Sequence, residues 1–329
     1  MSGKIMHAVQ YHSYGGGAAA LKHVEVPVPT PNKDEVLVKV EATSINPLDS
    51  KIQKGMLRPF LPSKFPFIPT TDVAGEVVEV GSNVKSFKAG DKVVAMLSTK
   101  SGGGLAEYVV PKDSLTVSRP AEVSAAEGAG LVIAGLTALQ ALVNPAEVKL
   151  DGTGPRKNIL VTAASGGVGH YAVQLAKLGN AHVTATCGAR NIDFVKSLGA
   201  DEILDYKTPE GAALKSPSGQ KYDAVINCTT GIPWSTFEPN LSSSGKVIDL
   251  TPGASSMLTF AVKKLTFSKK QLVPFLVNAN KENLELLVKL VKEGKLKTVI
   301  DSKFPLSKAE DAWSRSIDGH ATGKILVEP

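Results

Sequence analysis

Apolar positions along this chain change their period near residue 127. Before that point they alternate or run in short β-branched stretches. Val36-Leu-Val-Lys-Val40 alternates, Gly75-Glu-Val-Val-Glu-Val80 stops at Gly81, and a turn over residues 87–91 leads into Lys92-Val-Val-Ala-Met96. These are strand-and-turn signatures. Gly102, Gly103 and Gly104 predict a flexible loop entering another strand that ends at Val110. Residues 56–69 carry Pro59, Pro62, Pro66 and Pro69 among Phe60, Phe65 and Phe67. So many prolines exclude a helix or a central strand. A stiff surface loop is predicted, which either lines a pocket for an apolar substrate or caps the core edge.

From Ser124 the period becomes helical, then mixed. Ser124-Ala-Ala-Glu127 reads as a capping box, and a small, apolar helix follows through Leu142. Strands are predicted over 159–161, 181–186, 202–206, 222–228 and 245–250. Helices over 170–177 and 191–198 intervene, the second stopping at Gly199. Alternating strands and helices imply a doubly wound parallel sheet. After about residue 280 come an amphipathic helix over 283–293, a helix over 309–317 and a final strand over 324–327.

Composition narrows the class. At 329 residues, with 43% hydrophobic and 21% charged positions, the chain accommodates two cores in an ordinary globular balance. No apolar run is read as long enough to span a bilayer, and the N-terminal residues show neither a signal peptide nor a typical transit peptide. Two cysteines exclude a disulfide framework and a cysteine-rich zinc site. The net charge of +6 suits an anionic cofactor and favours an anionic membrane surface. It does not imply nucleic acid, because the lysine cluster at 263–270 lacks the interleaved aromatics of a stacking platform.

The stretch 158–169 carries the chemistry. Ile159, Leu160 and Val161 form a buried strand. Ala163, Ala164, Ser165, Gly166 and Gly167 form a tight turn, and a helix begins near Gly169. This is the context of a dinucleotide fingerprint, although Ala163 stands where the first glycine is usual. Gly166 allows close approach of a pyrophosphate, and Gly169 allows close helix–strand packing. The N–H groups of Gly167, Val168 and Gly169 are oriented toward an anion. About 18 residues on, where an NAD site places an acid, stand Cys187, Gly188, Ala189 and Arg190. An arginine there pairs with a 2′-phosphate, so NADPH is predicted over NADH. A solvated loop arginine is the plain alternative.

Several motifs coincide in order: 46–49 (NPLD), 71–75 (TDVAG), 87–93 (FKAGDKV), 105–109 (LAEYV), 135–138 (GLTA), 163–169 and 319–325 (GHATGKI). Together they resemble the zinc-free quinone oxidoreductase branch of the medium-chain dehydrogenase/reductase superfamily, most closely its plant chloroplast envelope group. The resemblance implies an α/β fold with a GroES-like β-rich catalytic domain over 1–127 and 281–329. A Rossmann doubly wound parallel sheet binding NADPH lies between, over 128–280. It also implies peripheral attachment at the chloroplast inner envelope; the sequence alone suggests cytosol. A monomer, or a homodimer through the Rossmann sheet edge at Val247 to Phe267, is implied. The zinc-dependent relatives carry a Cys near Asn46 and Gly-His-Glu near Thr70, Thr71 and Asp72. Neither is present, and the six histidines show no ligand spacing, so no catalytic zinc is expected.

Without a Lewis acid, an unactivated ketone is a poor acceptor. Tyr108 and Lys112 spell a tyrosine–lysine relay, but Pro111 and the adjacent valines argue for a strand, where the pair does not align. The reading is therefore hydride addition to the β-carbon of an enone or enal of oxidised-lipid type, or to a quinone. By resemblance, Asn46 and Asp49 lie near the nicotinamide. Lys51 polarises the carbonyl or assists protonation, unless it is a strand-end lysine facing solvent. Thr137 is placed by the cofactor's phosphate or nicotinamide ribose, and Tyr206 by the adenosine. Asn227, Cys228 and Thr251 lie at strand C-terminal ends, where such sheets bind ligands or simply pack. A non-catalytic NADPH sensor and a reductase of one specialised plant enone or iminium are the alternatives.

Overall fold

A computed structural model describes residues 3–329. In chain order the strands are β1 Ile5–Gln10, β2 Lys22–Pro27, β3 Val36–Ile45, β4 Asp72–Val80, β5 Lys92–Met96, β6 Tyr108–Val109, β7 Thr116–Ser118, β8 Asn158–Val161, β9 His182–Cys187, β10 Glu202–Asp205, β11 Tyr222–Asn227, β12 Leu241–Asp249, β13 Gln271–Pro274, β14 Ile300–Pro305 and β15 Lys324–Glu328. The helices are α1 Pro47–Gln53, α2 Ala125–Val143, α3 Gly169–Leu178, α4 Ile192–Ser197, α5 Pro209–Ala212, α6 Trp234–Phe237, α7 Ala254–Leu265, α8 Lys281–Lys292 and α9 Ala309–Asp318. One unit runs to Ala134 and resumes over Ala279–Pro329; the other is Gly135–Asn278.

The first unit is built on a sheet ordered β14-β15-β3-β4-β5-β7, with β6 on β3, beside the antiparallel pair β1-β2. Alternating valines of β3, β4 and β5 bury one face in a cluster of Val36, Val38, Val73, Val77 and Val93. β15 pairs antiparallel to β3 with Ile325 opposite Ile45, so Lys324 follows beside Asn46 at the head of α1. Phe67 of the proline-rich loop is buried against Tyr11, Leu105 and Trp313, and Phe65 packs partly on them, so the loop caps this core. Phe60 is left 76% exposed. Tyr108 lies on β6 and takes a hydrogen bond from Lys4 Nζ (2.8 Å), as a strand residue apart from any helical relay.

In the second unit all strands run parallel in the order β10-β9-β8-β11-β12-β13. The order reverses between β8 and β11, and such switch points open a crevice at the strand C-termini. The predicted edge needs correction. Val247 lies in β12 between β11 and β13, so the free edge is β13, which the sequence reading missed along with α7.

Two further expectations change. Ser124 does cap α2, donating from its N–H to Glu127 Oε2 (3.0 Å) and accepting from the Glu127 N–H at Oγ (3.2 Å). But α2 has 19 residues and is long and apolar enough to cross a membrane by length and composition, contrary to the reading of no such run. Because 83% of its apolar window is buried in the protein, α2 is a core helix. Lys51, offered as a strand-end residue, instead lies in the last turn of α1.

Candidate functional site

The glycine-rich turn is held by β9. Ala163 N donates to Thr186 Oγ1 (3.1 Å) and Ala164 N to the Thr186 carbonyl (2.8 Å). Ala163 adopts φ +48°, the left-handed region in which its position usually carries glycine. A Cβ on Gly169 would sit 2.4 Å from the Ala163 carbonyl oxygen and 2.6 Å from Ala164 Cα, so only glycine lets α3 start this close to the strand. The Gly166 carbonyl accepts from His170 N (3.1 Å) and lies 2.9 Å from His170 Nδ1, which fixes Nδ1 as the protonated ring nitrogen. The N–H groups of Gly167 and Val168 make no hydrogen bond to any described residue, which leaves donors where an anion is stabilised.

Ser165 Oγ accepts from Asn191 Nδ2 (3.0 Å). Asn191 follows Arg190 in the turn after β9, where Arg190 is exposed and Cys187 is buried. Burial pushes the Cys187 thiol up to about 11, so it packs as a small apolar side chain. Tyr206, 47% exposed after β10, places its ring 3.5 Å from where a Gly188 Cβ would be, with Lys207 Nζ 6.0 Å from the ring centroid. Tyr206, with Lys207 near its ring, thus lies beside Gly188 in the turn that leads to Arg190; Lys207 carries no signal in the sequence.

At the switch point, Thr162 Oγ1 donates to Asn227 Oδ1 (2.8 Å) and accepts from Cys228 N (2.9 Å). Asn227 Nδ2 donates to Asp249 Oδ1 (3.2 Å), which also takes the Thr251 N–H (3.2 Å). Asp249 Oδ2 receives Ser256 Oγ (2.5 Å). Asn227, Cys228 and Thr251 are therefore brought together, by Thr162 and Asp249, two residues that were not anticipated. Burial pushes the Cys228 thiol up to about 12. Thr137 lies buried on α2.

In the other unit, Asn46, Asp49, Asp72 and Lys324 form one buried cluster. Asn46 caps α1, with Pro47 at the first helical position and Asp49 at the third, a start the sequence spells out. Asn46 N donates to Asp49 Oδ2 (2.7 Å), Asn46 Nδ2 to Asp72 Oδ2 (2.9 Å), and Lys324 Nζ to Asn46 Oδ1 (2.5 Å). Asp72 also accepts from Ile133 N (3.1 Å) and Thr71 Oγ1 (3.2 Å). Burial raises Asp49 to about 7; neighbouring Asp72 adds to the rise, while the Asn46 N–H and Lys324 oppose it. Burial also raises Asp72 and lowers Lys324, each resisted by the other's charge. Asn46 and Asp49 are thus sequestered and bonded internally; Lys51, half-buried, is the most accessible of the three anticipated residues.

Comparison with known proteins now bears on these two sites. Residues 32–121 match the alcohol dehydrogenase GroES-like domain, and residues 198–327 match the zinc-binding dehydrogenase family. The chain is 76% identical to a chloroplast envelope quinone oxidoreductase homologue of Arabidopsis thaliana, with both chains covered completely. It belongs to the quinone oxidoreductase branch of the medium-chain dehydrogenase/reductase superfamily. A second relative in the superfamily, the chloroplastic NADPH-dependent alkenal/one oxidoreductase of Arabidopsis thaliana, is 35% identical over 99% of this chain and 80% of its own length. The solved structure of the quinone oxidoreductase from Coxiella burnetii superposes with a TM-score of 0.90 at 33% identity, covering 99% of this chain and all of that one.

The family description raises the question of zinc. Among the described residues no group of three or more His, Cys, Asp or Glu side chains converges. The carboxylates of Asp49 and Asp72 share their buried surroundings with the Lys324 side chain, whose Nζ is hydrogen-bonded to Asn46 Oδ1. That donor set does not fit a zinc ion, which takes three or four N, S or O ligands in this superfamily's chemistry. The turn after β8, by contrast, fits a dinucleotide: its helix is packed through Gly169, and the N–H groups of Gly167 and Val168 are not spent on any described residue.

Proposed function

We propose that this oxidoreductase is an NADPH-dependent, metal-free reductase of α,β-unsaturated carbonyls of oxidised-lipid type, or of quinones. The observation that carries the reading is the end of β9, where the exposed Arg190 stands in place of an acid. Bound NADPH supplies a hydride. The chain's part is to hold it, with the N–H groups of Gly167 and Val168 and the Ser165 hydroxyl toward its phosphates, and Arg190 toward a 2′-phosphate. Gly166 and Gly169 keep the turn open to it, and Tyr206 lies toward the adenosine. Thr137, Asn227, Cys228 and Thr251 complete the cofactor surface, with Cys187 as packing beneath it. In the catalytic unit Lys51 offers an ammonium to the substrate carbonyl, orienting it and stabilising the developing oxyanion. Asn46 and Asp49 lie behind it, and Asp49, poised near neutrality, holds a proton within the cluster.

The names of the relatives support this acceptor class, one being a quinone oxidoreductase homologue and the other an alkenal/one oxidoreductase. The protein is a chloroplast protein, in keeping with both chloroplast relatives. Its excess of basic residues (37 against 31 acidic) supports peripheral attachment to anionic lipid of the envelope, released by high salt. The exposed apolar side chains of α7 beside the free edge of β13 support a homodimer through this corrected edge.

The test is product analysis by mass spectrometry after incubation with 4-deuterated NADPH and a panel of enals, enones, quinones and simple ketones. Deuterium on a β-carbon is the expected result. Quinone turnover alone shifts the acceptor, and label on a ketone carbinol carbon overturns the proposal. NADPH bound tightly with no label in any product favours a binding or sensing protein. Replacing Arg190 by Ala is expected to weaken NADPH at least tenfold while sparing NADH, as loss of a charge-assisted contact predicts.

A further inference from the structure

Asn191 occupies the N-cap position of α4, yet its side chain makes no capping bond there. Its Nδ2 instead reaches 26 residues back to Ser165 Oγ, at 3.0 Å. A hydroxyl has one hydrogen and two acceptor lone pairs. The amide nitrogen of Asn191 donates and cannot accept, so it takes one lone pair and forbids the Ser165 hydrogen from turning back toward it. That hydrogen is left for another acceptor. A hydroxyl that accepts one hydrogen bond becomes a stronger donor in the next.

We propose that Asn191 is a positioning residue that sets the Ser165 hydroxyl as a donor to a phosphate oxygen of the bound dinucleotide. The inference rests on the dinucleotide reading given above and extends it to a residue outside the glycine-rich motif. Ser165 stands in the turn whose Gly167 and Val168 N–H groups are already unspent, so its O–H adds a side-chain donor to a set made of backbone. The same turn is tied to β9 at Thr186 through Ala163 N and Ala164 N. Asn191 adds a tether from the segment that carries Arg190, and the bond from Asn191 N to the Gly188 carbonyl (2.9 Å) holds that segment in shape. Two consecutive residues then act on one ligand by different means: Arg190 through charge, Asn191 through the direction of a hydrogen.

The experiment is equilibrium binding of NADPH and NADH to the full-length protein, followed by cofactor fluorescence without substrate. The variants are Asn191→Ala, Asn191→Asp, Ser165→Ala, the Asn191→Ala/Ser165→Ala double and Arg190→Ala, each with a thermal melt to confirm folding. Asn191→Ala and Ser165→Ala should each raise the NADPH Kd by roughly 3- to 10-fold, the effect of one hydrogen bond. The double variant should match Ser165→Ala alone, because Asn191 acts through that hydroxyl. Asn191→Asp should be worse than Asn191→Ala, since a carboxylate would accept the Ser165 hydrogen, turn it from the phosphate and add a like charge. Additive single effects, or an Asn191→Asp protein that binds as well as Asn191→Ala, would overturn the proposal. Failure of the parent protein to bind either dinucleotide would overturn the underlying reading as well. An unaltered NADPH/NADH ratio in Arg190→Ala would remove the NADPH preference alone.

Discussion

Lys324 is the residue on which the first unit's polar cluster turns. A lysine buried to 2% exposure is sustained only by compensating charge and hydrogen bonds, here Asp72, Asp49 and the Asn46 carbonyl. Removing it leaves Asp72 buried without its cation, so Lys324→Met should cost about 3–5 kcal/mol in urea unfolding. Adding Asp72→Asn to that variant should recover part of the loss. Asp49 makes a prediction with the opposite sense. Burial holds it near 7 in the folded protein, against about 4 in an unfolded chain. The folded state therefore binds the proton more tightly, and this group's contribution to stability falls as pH rises between those values. Asp49→Asn keeps an acceptor for the Asn46 N–H but abolishes the titration. Its stability relative to the parent should improve by about 1.4 kcal/mol for each pH unit between pH 5 and pH 7 and level off above that. A difference that stays flat across that range would contradict the assignment.

At the scale of elements, the turn between β8 and α3 shows how closely sequence and conformation agree. Gly169→Ala would push a Cβ into the Ala163 carbonyl and Ala164 Cα, both backbone, so α3 must lift from the strand. A loss of about 1–3 kcal/mol in stability and a weaker NADPH complex are expected, read by thermal melting and fluorescence titration. The βα alternation and this turn were legible because each depends on local pattern: β-branched runs, small residues and a helix start. β3, β4 and β5 were legible for the same reason. α7 was not, because none of its residues is buried, and an apolar stripe that meets no core leaves no reliable period. α1 was missed although Asn46, Pro47 and Asp49 spell its start; family resemblance drew attention to those residues as chemistry and away from them as a cap. Lys324, Thr162, Asp249 and Asn191 fall in stretches that were legible, but their partners were not. Each is defined by a partner far along the chain, as Lys324 is by Asn46, 278 positions away.

At the scale of the whole molecule, the proposed homodimer rests on an uncovered apolar face of the second unit. Along α7 and just beyond it, Leu258 is 68%, Leu265 77% and Phe267 92% exposed, next to the open edge of β13. Such a surface paired with an unpaired strand is what association covers. Leu258→Glu with Leu265→Glu should therefore shift the sedimentation coefficient of a dimer to that of a monomer, with little change in melting at low protein concentration. A parent that already sediments as a monomer at all concentrations would dispose of that assembly. The core helix α2 carries a different consequence. While the chain is folded, most of this 19-residue helix is masked, with 83% of its apolar window buried. A chain still unfolded displays a segment whose length and composition suffice to cross a bilayer. Folding thus competes with lipid for the same helix.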